Sequence, residues 1–394
     1  MLSPVVVAAL MIVTPVAIVY RKVIGCSLSI TFHVVKTALQ YAARGFKPRY
    51  PEWTFQFELA RAFLHYGFAF YGASMTVPAT AQANRAFTAR LGDSLGGIAC
   101  RQFNTQVTPV VVNDLEHLWL TSKDPPAEGA KRFVVLYYHG GGYAIFCPRL
   151  YVGPVSEIRE SIVKQLRGTH NIENPRVDFF FANYRKTPEH KFPVPNNDCV
   201  SMLEYLVDVE GISPSQIIIM GDSAGGGIVL ATMLLLKKNH PEYMPLAAVA
   251  MCPMADMTPP VEGEVPPDHC VLSYEFAEAS RQALHNEPFN PATFGESSPA
   301  QCDLRGLAPT LVQIGDKDFI FNMTESLMAK AKEDGVTNME FSIHKNMVHV
   351  FPLTPSELLP YAKVGVAEIA TFAAKHFTKT TEKMDNEIPV ASAS

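Results

Sequence analysis

The chain has 394 residues, of which 48% are hydrophobic and 18% are charged, and its formal net charge is −5. This length and composition can bury a large core, and the mildly acidic balance without a Lys/Arg cluster excludes a nucleic-acid partner. The seven cysteines are odd in number and lack a C-x-x-C pair, which argues against a disulfide framework or a structural zinc site.

An almost wholly apolar segment, residues 2–20, begins the chain. As a helix it would reach about 28 Å, roughly one hydrocarbon core. No charged side chain precedes it, which favours an uncleaved membrane anchor over a cleaved signal peptide or a buried helix. Residues 23–39 form a second, amphipathic stretch suited to a membrane interface. We therefore expect residues 1–45 to be a membrane anchor or interfacial helices.

Two sequence features bear on which side of the membrane the chain after the apolar segment lies. All six Lys and Arg residues among the first fifty residues follow the apolar segment, and the positive-inside rule would then leave the rest of the chain cytoplasmic. The single N-x-S/T sequon, at Asn322, lies just after the loop at residues 315–318, where a glycan is not expected, so the sequence gives no positive sign of a lumenal protein. We expect membrane association, with the endoplasmic reticulum as the expected membrane.

Helical and extended patterns follow in order along the chain. Residues 46–104 contain two helical segments, 54–71 and 80–91, which we expect to form an N-terminal cap. Apolar and polar residues alternate along 106–112 and 117–121, which predicts the two strands of an antiparallel hairpin. The later predicted strands are 133–138, 177–182, 217–220, 247–251, 310–314 and 339–344. The predicted helices between and after them are 152–166, 197–207, 228–235, 324–334 and 355–376.

Strands that alternate with helices predict a mostly parallel sheet with helices on both faces. We therefore predict one α/β domain at residues 105–377. The alternation lapses between about 253 and 307, where a Pro-rich, acidic stretch with one helix at 273–285 indicates an inserted cap. Residues 378–394 are polar and lack a period, and we expect them to form a disordered tail.

A G-x-S-x-G sequence, Gly221-Asp222-Ser223-Ala224-Gly225, lies between the strand at 217–220 and the helix at 228–235. A strand, a sharp turn and a helix in this order are typical of a nucleophile elbow, in which the turn lifts the serine hydroxyl clear of the sheet. A Cβ two residues either side would collide with the strand or the helix. An ordinary tight turn would give the same short pattern, so other parts of the chain must distinguish the two.

Three consecutive glycines, in His139-Gly140-Gly141-Gly142-Tyr143, directly follow the strand at 133–138. Such a run is costly in backbone entropy, and it indicates either an oxyanion hole or a loop packed closely against a helix. A loop of this kind is the partner of the G-x-S-x-G elbow, whose second donor is the residue after the serine, here Ala224. Two motifs in this order, each after a strand, favour a serine hydrolase.

The serine needs a base and an orienting acid, in the order Ser, Asp or Glu, His. The strand at 310–314 ends in a loop with two carboxylates, Asp316 and Asp318, and both stay open at this point. His349 follows the next strand, whereas its competitor His344 lies within the strand pattern. Position therefore favours His349 as the base.

The chain resembles the hormone-sensitive-lipase branch of the α/β-hydrolases, which includes arylacetamide deacetylases and steryl acetyl hydrolases. The resemblance covers residues 133–376 and rests on the glycine loop, the elbow, Asn183-Tyr184-Arg185, Pro188-Glu189-His190, Phe192-Pro193, the loop 315–318 and His349-Val350-Phe351. It departs from the family in having Asn183 where Asp is usual and Asn322 where a second acid often follows the catalytic one.

This resemblance implies that residues 105–377 form an α/β-hydrolase catalytic domain. It also implies the role of each site residue. Ser223 would be the nucleophile, His349 the general base and acid, and Asp318 the acid that orients the imidazole. Asp316 is kept as the alternative acid. The implied oxyanion donors are Gly141, Gly142 and Ala224.

The leading hypothesis is a serine carboxylesterase or deacylase for a lipophilic ester with a short acyl group such as acetyl. The first alternative is the same triad repurposed for condensation, cyclisation or acyl transfer on a biosynthetic intermediate. The second is a non-catalytic receptor, which the three filled triad positions disfavour. The sequence lacks the motifs of metal or nucleotide sites, so we expect no cofactor and no metal.

Overall fold

The computed structural model describes residues 4–259 and 269–387. The helices are α1 (Pro4–Ala43), α2 (Phe55–Tyr71), α3 (Pro78–Gln102), α4 (Pro148–Gly168), α5 (Val194–Asp208), α6 (Ala224–Asn239), α7 (Tyr274–Ala283), α8 (Pro291–Phe294), α9 (Phe321–Glu333) and α10 (Ala362–Glu387). The strands are β1 (Thr105–Val112), β2 (Leu115–Ser122), β3 (Arg132–Tyr138), β4 (Arg176–Ala182), β5 (Ile217–Asp222), β6 (Ala247–Met251), β7 (Thr310–Gly315) and β8 (Met339–His344).

The strands described form one sheet in the order β1-β2-β4-β3-β5-β6-β7-β8. The two pairs made by β2 are antiparallel, and the remaining neighbours are parallel. The predicted mostly parallel sheet is therefore confirmed. Carboxyl ends of parallel strands meet at one edge, so the loops after β3, β5, β7 and β8 converge there.

Both faces of the sheet are buried, as β5 illustrates. Ile217 and Ile219 belong to a core layer that includes the apolar residues of α5 and α6. Ile218 and Met220 belong to the opposite layer, which includes those of α4 and α10. Successive side chains of a strand point to opposite faces, so a wholly apolar strand needs helices on both sides.

Helix α1 is continuous where the sequence suggested two separate segments. It passes through Arg21 and Lys22, which are good helix formers, and residues 16–24 contain neither Gly nor Pro. Among the residues described, Val23–Ala43 is the one candidate for a membrane span by length and composition alone. The interfacial helix predicted at 23–39 is therefore the second half of one long helix.

Helices α2, α3 and α7 cover the carboxyl edge of the sheet. Trp53, just before α2, donates from Nε1 to the carbonyl of Asn346 at 2.7 Å. Phe68 of α2 stacks on Phe276 of α7, with ring centroids 4.8 Å apart. The N-terminal segment and the insertion therefore contribute to a single cover over the carboxyl edge.

Two helices differ in length from their predictions. Helix α3 continues to Gln102 through three glycines, because bare backbone at Gly92 lets the helix approach the backbone of Arg149 in α4. Helix α10 begins only at Ala362, after the prolines at 355 and 360, and continues to Glu387. Residues 378–387, expected to be disordered, are therefore helical, since residues 366–387 contain neither Gly nor Pro. The rest of the predicted tail, 388–394, lies outside the described residues.

Candidate active site

Ser223 forms the turn between β5 and α6. Its backbone has φ 53° and ψ −120°, outside the regions of helix and strand. Its N–H donates to the carbonyl of Met251 at 2.8 Å, which ties the turn to β6. The side chain is half-buried and borders a cavity, whereas Asp222 and Ala224 on either side are buried. A serine hydroxyl at such a turn is open to a substrate in the cavity.

The elbow depends on Gly225, and we expect Gly225→Ala to destabilise the protein severely. The added Cβ would collide with the carbonyl oxygen of Tyr138 and lie 2.7 Å from its carbonyl carbon, both backbone atoms of β3. Since the central strand cannot move without breaking the sheet, the free energy of unfolding should fall by about 3 kcal/mol or more. Urea and thermal unfolding measure this change.

Gly168→Ala, at the end of α4, is the control for this substitution. An added Cβ there meets nothing within 4 Å, so the free energy of unfolding should change by less than about 1 kcal/mol. Equal stability of the Gly225 variant and the unmodified protein would contradict the predicted collision.

His349 and Asp318 are joined at the carboxyl edge of the sheet. The Nδ1 atom of His349 lies 2.8 Å from Oδ2 and 3.0 Å from Oδ1 of Asp318, and both side chains are buried. An Nδ1–H that donates to a carboxylate leaves Nε2 as the proton acceptor. Like Ser223, His349 lines the cavity. The three predicted triad residues therefore lie on neighbouring loops, with the acid and base in direct contact.

The two competing residues have other partners. Asp316 accepts a hydrogen bond from the N–H of Asn346 at 2.6 Å and pairs with Lys317, so it joins the β7 and β8 loops. His344 Nε2 contacts the carboxylate of Glu368 in α10 at 2.9 Å. The structure therefore brings Asp318, rather than Asp316, to the imidazole of His349.

The three predicted oxyanion donors lie on two adjoining segments. Gly141 and Gly142 have φ of 107° and 58°, in the region that favours glycine. Among the described residues, the N–H groups of both glycines and of Ala224 donate to no acceptor. Ala224 is also the first residue of α6, where the helix dipole favours negative charge. Gly141 lines the cavity together with Ser223.

Asp222 holds the glycine loop against the elbow. Its Oδ1 accepts hydrogen bonds from Gly140 N–H at 2.9 Å and from the Tyr137 hydroxyl at 2.8 Å, and its Oδ2 lies 3.3 Å from the Tyr151 hydroxyl. Complete burial raises the pKa of this carboxyl to about 6, although the three donors favour the charged form. The sequence analysis gave Asp222 no role, because its partners lie far away in the chain.

Two cysteine side chains next to the triad were also missed from the sequence. The Sγ of Cys270 lies 3.9 Å from Oδ1 of Asp318, and Cys252 Sγ accepts from the N–H of Val350 at 3.1 Å. Burial raises the pKa of both thiols, so they remain protonated. The ligand atoms of Cys252, Asp318 and His349 lie within 4.8 Å of one another, a set that could hold a metal ion. In this structure the imidazole of His349 and the carboxylate of Asp318 are hydrogen-bonded to each other.

The cavity above Ser223 has a volume of about 350 Å³. Side chains of α2, α7 and the loop after His349 form its walls, and most of them are apolar. The apolar lining includes Phe57, Leu64, Phe68, Phe146, Leu272, Phe276, Leu353 and Leu358. A lining of this kind suits a lipophilic ligand.

A family profile described as the α/β hydrolase fold matches residues 135–353, more than half of the chain. The chain belongs to the α/β-hydrolase fold family. This α/β hydrolase is 28% identical over 276 residues to an esterase of Acinetobacter venetianus, a match that covers 70% of the chain and 85% of the relative. It is 33% identical over 135 residues to steryl acetyl hydrolase 1 of Saccharomyces cerevisiae, covering 33% of the chain and 28% of that relative.

Solved structures agree with this assignment. An esterase from the bacterial hormone-sensitive-lipase family is 26% identical, with a TM-score of 0.63, and the match covers 84% of this chain and 100% of that chain. The α/β hydrolase therefore lies in the hormone-sensitive-lipase branch, as its motifs indicated, and it is a carboxylic ester hydrolase.

Both departures of this α/β hydrolase from its family lie outside the triad. Asn183 Oδ1 accepts from Lys186 Nζ and from the N–H of Tyr184, so a neutral amide faces this lysine. Burial lowers the pKa of Lys186 to about 7. The ring of Tyr184 stacks on His139, which links this cluster to the glycine loop. The second departure, Asn322, is exposed.

Proposed function

We propose that the chain hydrolyses a lipophilic ester with a short acyl group, using Ser223, His349 and Asp318 through an acyl-enzyme. One observation carries the proposal: an accessible serine and a histidine hydrogen-bonded to a buried aspartate border the same apolar cavity. A nucleophile, a base and an orienting acid in this order are what acyl transfer from an ester requires.

The first half of the reaction acylates the serine. His349 Nε2 takes the proton as Ser223 Oγ attacks the carbonyl carbon, and Asp318 stabilises the imidazolium that forms. The imidazolium then protonates the alkoxide leaving group, so the alcohol departs and the acyl group stays on Ser223. In the second half the same imidazole takes a proton from a water molecule as the water attacks the acyl carbon. The imidazolium then protonates Ser223 Oγ, so the bond from Oγ to the acyl carbon breaks, the carboxylic acid leaves and the serine is restored.

The oxyanion of each tetrahedral intermediate would be held by the N–H groups of Gly141, Gly142 and Ala224. These donors need no rearrangement, since none of them donates to another acceptor among the described residues. Losing one such donor typically costs about 2.7–4 kcal/mol of transition-state stabilisation. The bond from Gly140 to Asp222 would keep the loop in register with the elbow.

The substrate class follows from the cavity and the N-terminal helix. A largely apolar cavity of about 350 Å³ accommodates a small lipophilic ester better than a charged one. Relatives named acetyl-hydrolase support a short acyl group. Membrane association through α1, with the endoplasmic reticulum as the expected location, would bring such esters to the enzyme.

A fluorophosphonate label tests the proposal directly, because it reacts with an activated serine. We expect one label per chain, mapped by mass spectrometry to the peptide that contains Ser223, with loss of ester hydrolysis in proportion. A panel of p-nitrophenyl esters from acetyl to long acyl should give the highest kcat/KM for the short acyl groups.

Labelling at another residue, or none, would overturn the assignment of Ser223. Labelling without hydrolysis of any ester would instead favour condensation or transfer chemistry by the same triad. A maximum at long acyl chains would retain the triad and overturn the short-acyl preference.

A further inference from the structure

The exposed apolar side chains of this protein are concentrated near its N-terminus. Of the twenty large apolar side chains exposed among the described residues, fifteen lie between Val23 and Ile98. Those on α1 include Ile24, Leu28, Phe32, Val35 and Leu39, and those on α3 are Phe87, Leu91, Leu95 and Ile98. Spacings of three and four residues place each set on one side of its helix. Each of the two helices therefore has an exposed apolar stripe.

Helix α1 also continues beyond its exposed stripe into an uncharged sequence, residues 4–20. Its forty residues would measure about 60 Å, roughly twice the thickness of a hydrocarbon core. A large part of α1 must therefore lie outside the hydrocarbon core. Contact of the exposed stripe with the membrane interface would cover it.

The charge of the same region is opposite to that of the whole chain. Residues 21–98 contain nine Lys and Arg against three Asp and Glu, a net charge of +6, while the whole chain carries −5. Basic residues beside exposed apolar helix faces favour anionic lipid surfaces over neutral ones. The composition of this region therefore suits a bilayer that contains anionic lipid.

The apolar helices adjoin the mouth of the catalytic cavity. Leu64 of α2 lines that cavity and is 45% exposed. Leu95 and Ile98 of α3 line a second cavity of about 300 Å³, which we call the outer cavity. The outer cavity shares Pro154, Leu353, Thr354 and Pro355 with the catalytic cavity, so the two spaces adjoin. The outer cavity therefore lies between the exposed side of α3 and the wall of the catalytic cavity.

We propose that the exposed apolar faces of α1, α2 and α3 dock on an anionic lipid bilayer, so that the catalytic cavity opens towards the lipid. The ester then passes from the bilayer through the outer cavity to Ser223 without crossing water. This inference rests on the proposed esterase function and adds the surface that delivers the substrate. The lipid bilayer is the occupant because the region is both apolar and basic and continues the apolar start of α1.

The test uses the full chain reconstituted into vesicles, with Phe63→Gln, Phe87→Gln and Leu91→Gln combined. These residues are exposed and line neither cavity. We expect kcat/KM for an ester dissolved in the bilayer to fall about tenfold, while kcat/KM for water-soluble p-nitrophenyl acetate stays within about twofold. The control combines Val111→Gln, Val209→Gln and Val364→Gln, which are exposed elsewhere and should change neither value.

A second measurement needs no variant. Hydrolysis of the bilayer ester by the unmodified protein should be faster on vesicles with phosphatidylserine than on phosphatidylcholine alone, and added salt should remove the difference. Equal rates on both vesicles would overturn the proposal, as would an unchanged rate of the triple variant on the bilayer ester. If the triple variant formed a smaller oligomer but kept full activity on that ester, the exposed apolar faces would be assigned to contact with a second copy of the chain. Failure of the unmodified protein on the soluble ester would overturn the esterase function instead.

Discussion

Replacing Ser223 with alanine is expected to lower kcat for p-nitrophenyl acetate by about 10⁶-fold. Among the described residues, the other hydroxyls that line the cavity are those of Thr354, which lies in the loop after His349, and of Tyr151, which faces Asp222. The remaining rate over water would come from the oxyanion donors and the cavity. Steady-state kinetics measures kcat, and the fluorophosphonate label should no longer react.

The fold of this variant should be intact. Alanine and serine carry the same Cβ, so the strained φ of 53° at this position is no worse in the variant. Ser201→Ala, on the exposed side of α5, removes a hydroxyl away from the cavity and should leave kcat unchanged. Substantial hydrolysis by the Ser223 variant, with the same thermal unfolding midpoint, would show that another residue is the nucleophile.

The second large effect is expected for Asp318→Asn. An amide at this position would present its NH₂ group to His349 Nδ1, so the proton would move to Nε2 and the imidazole could not act as a base. We expect kcat at neutral pH to fall about 10⁴-fold with little change in KM. Both constants come from initial rates over a range of substrate concentrations.

Asp316→Asn is the matched control, two residues away on the same loop. This carboxylate accepts from the N–H of Asn346, and an amide oxygen can accept the same bond. Its substitution should therefore lower kcat by less than about tenfold, through small shifts of the β8 loop. A larger loss for Asp316→Asn than for Asp318→Asn would reverse the assignment of the acid.

The cover over the site joins parts of the chain that are distant in sequence. Gly142 lies directly below Ser280 and Phe276 of α7, so an added Cβ there would be only 3.0 Å from the Phe276 ring. Arg61 of α2 donates to the carbonyl of Cys270 at 3.5 Å, and Cys270 adjoins Asp318. Changes in the N-terminal helices can therefore reach both the glycine loop and Asp318.

The parts of the site that depend on local backbone geometry can be recognised from the amino-acid sequence. The glycines around Ser223 and after His139 occupy positions where a Cβ cannot fit, and a single sequence shows where such glycines lie. Apolar runs that alternate with helical periods also predicted a mostly parallel sheet, because both faces of such a sheet are buried. The order of the motifs along the strands then predicted the edge at which they meet.

The tertiary structure was needed for every feature that depends on contacts between distant segments. It brought Asp318, rather than the equally suitable Asp316, to His349, since the orientation of a loop is fixed by its neighbours. It joined the two apolar stretches at the N-terminus into α1 and placed α2 on the wall of the cavity. Whether an apolar helix side is buried or exposed is a property of the packing, so the exposed stripe of α3 could be recognised only in the folded chain.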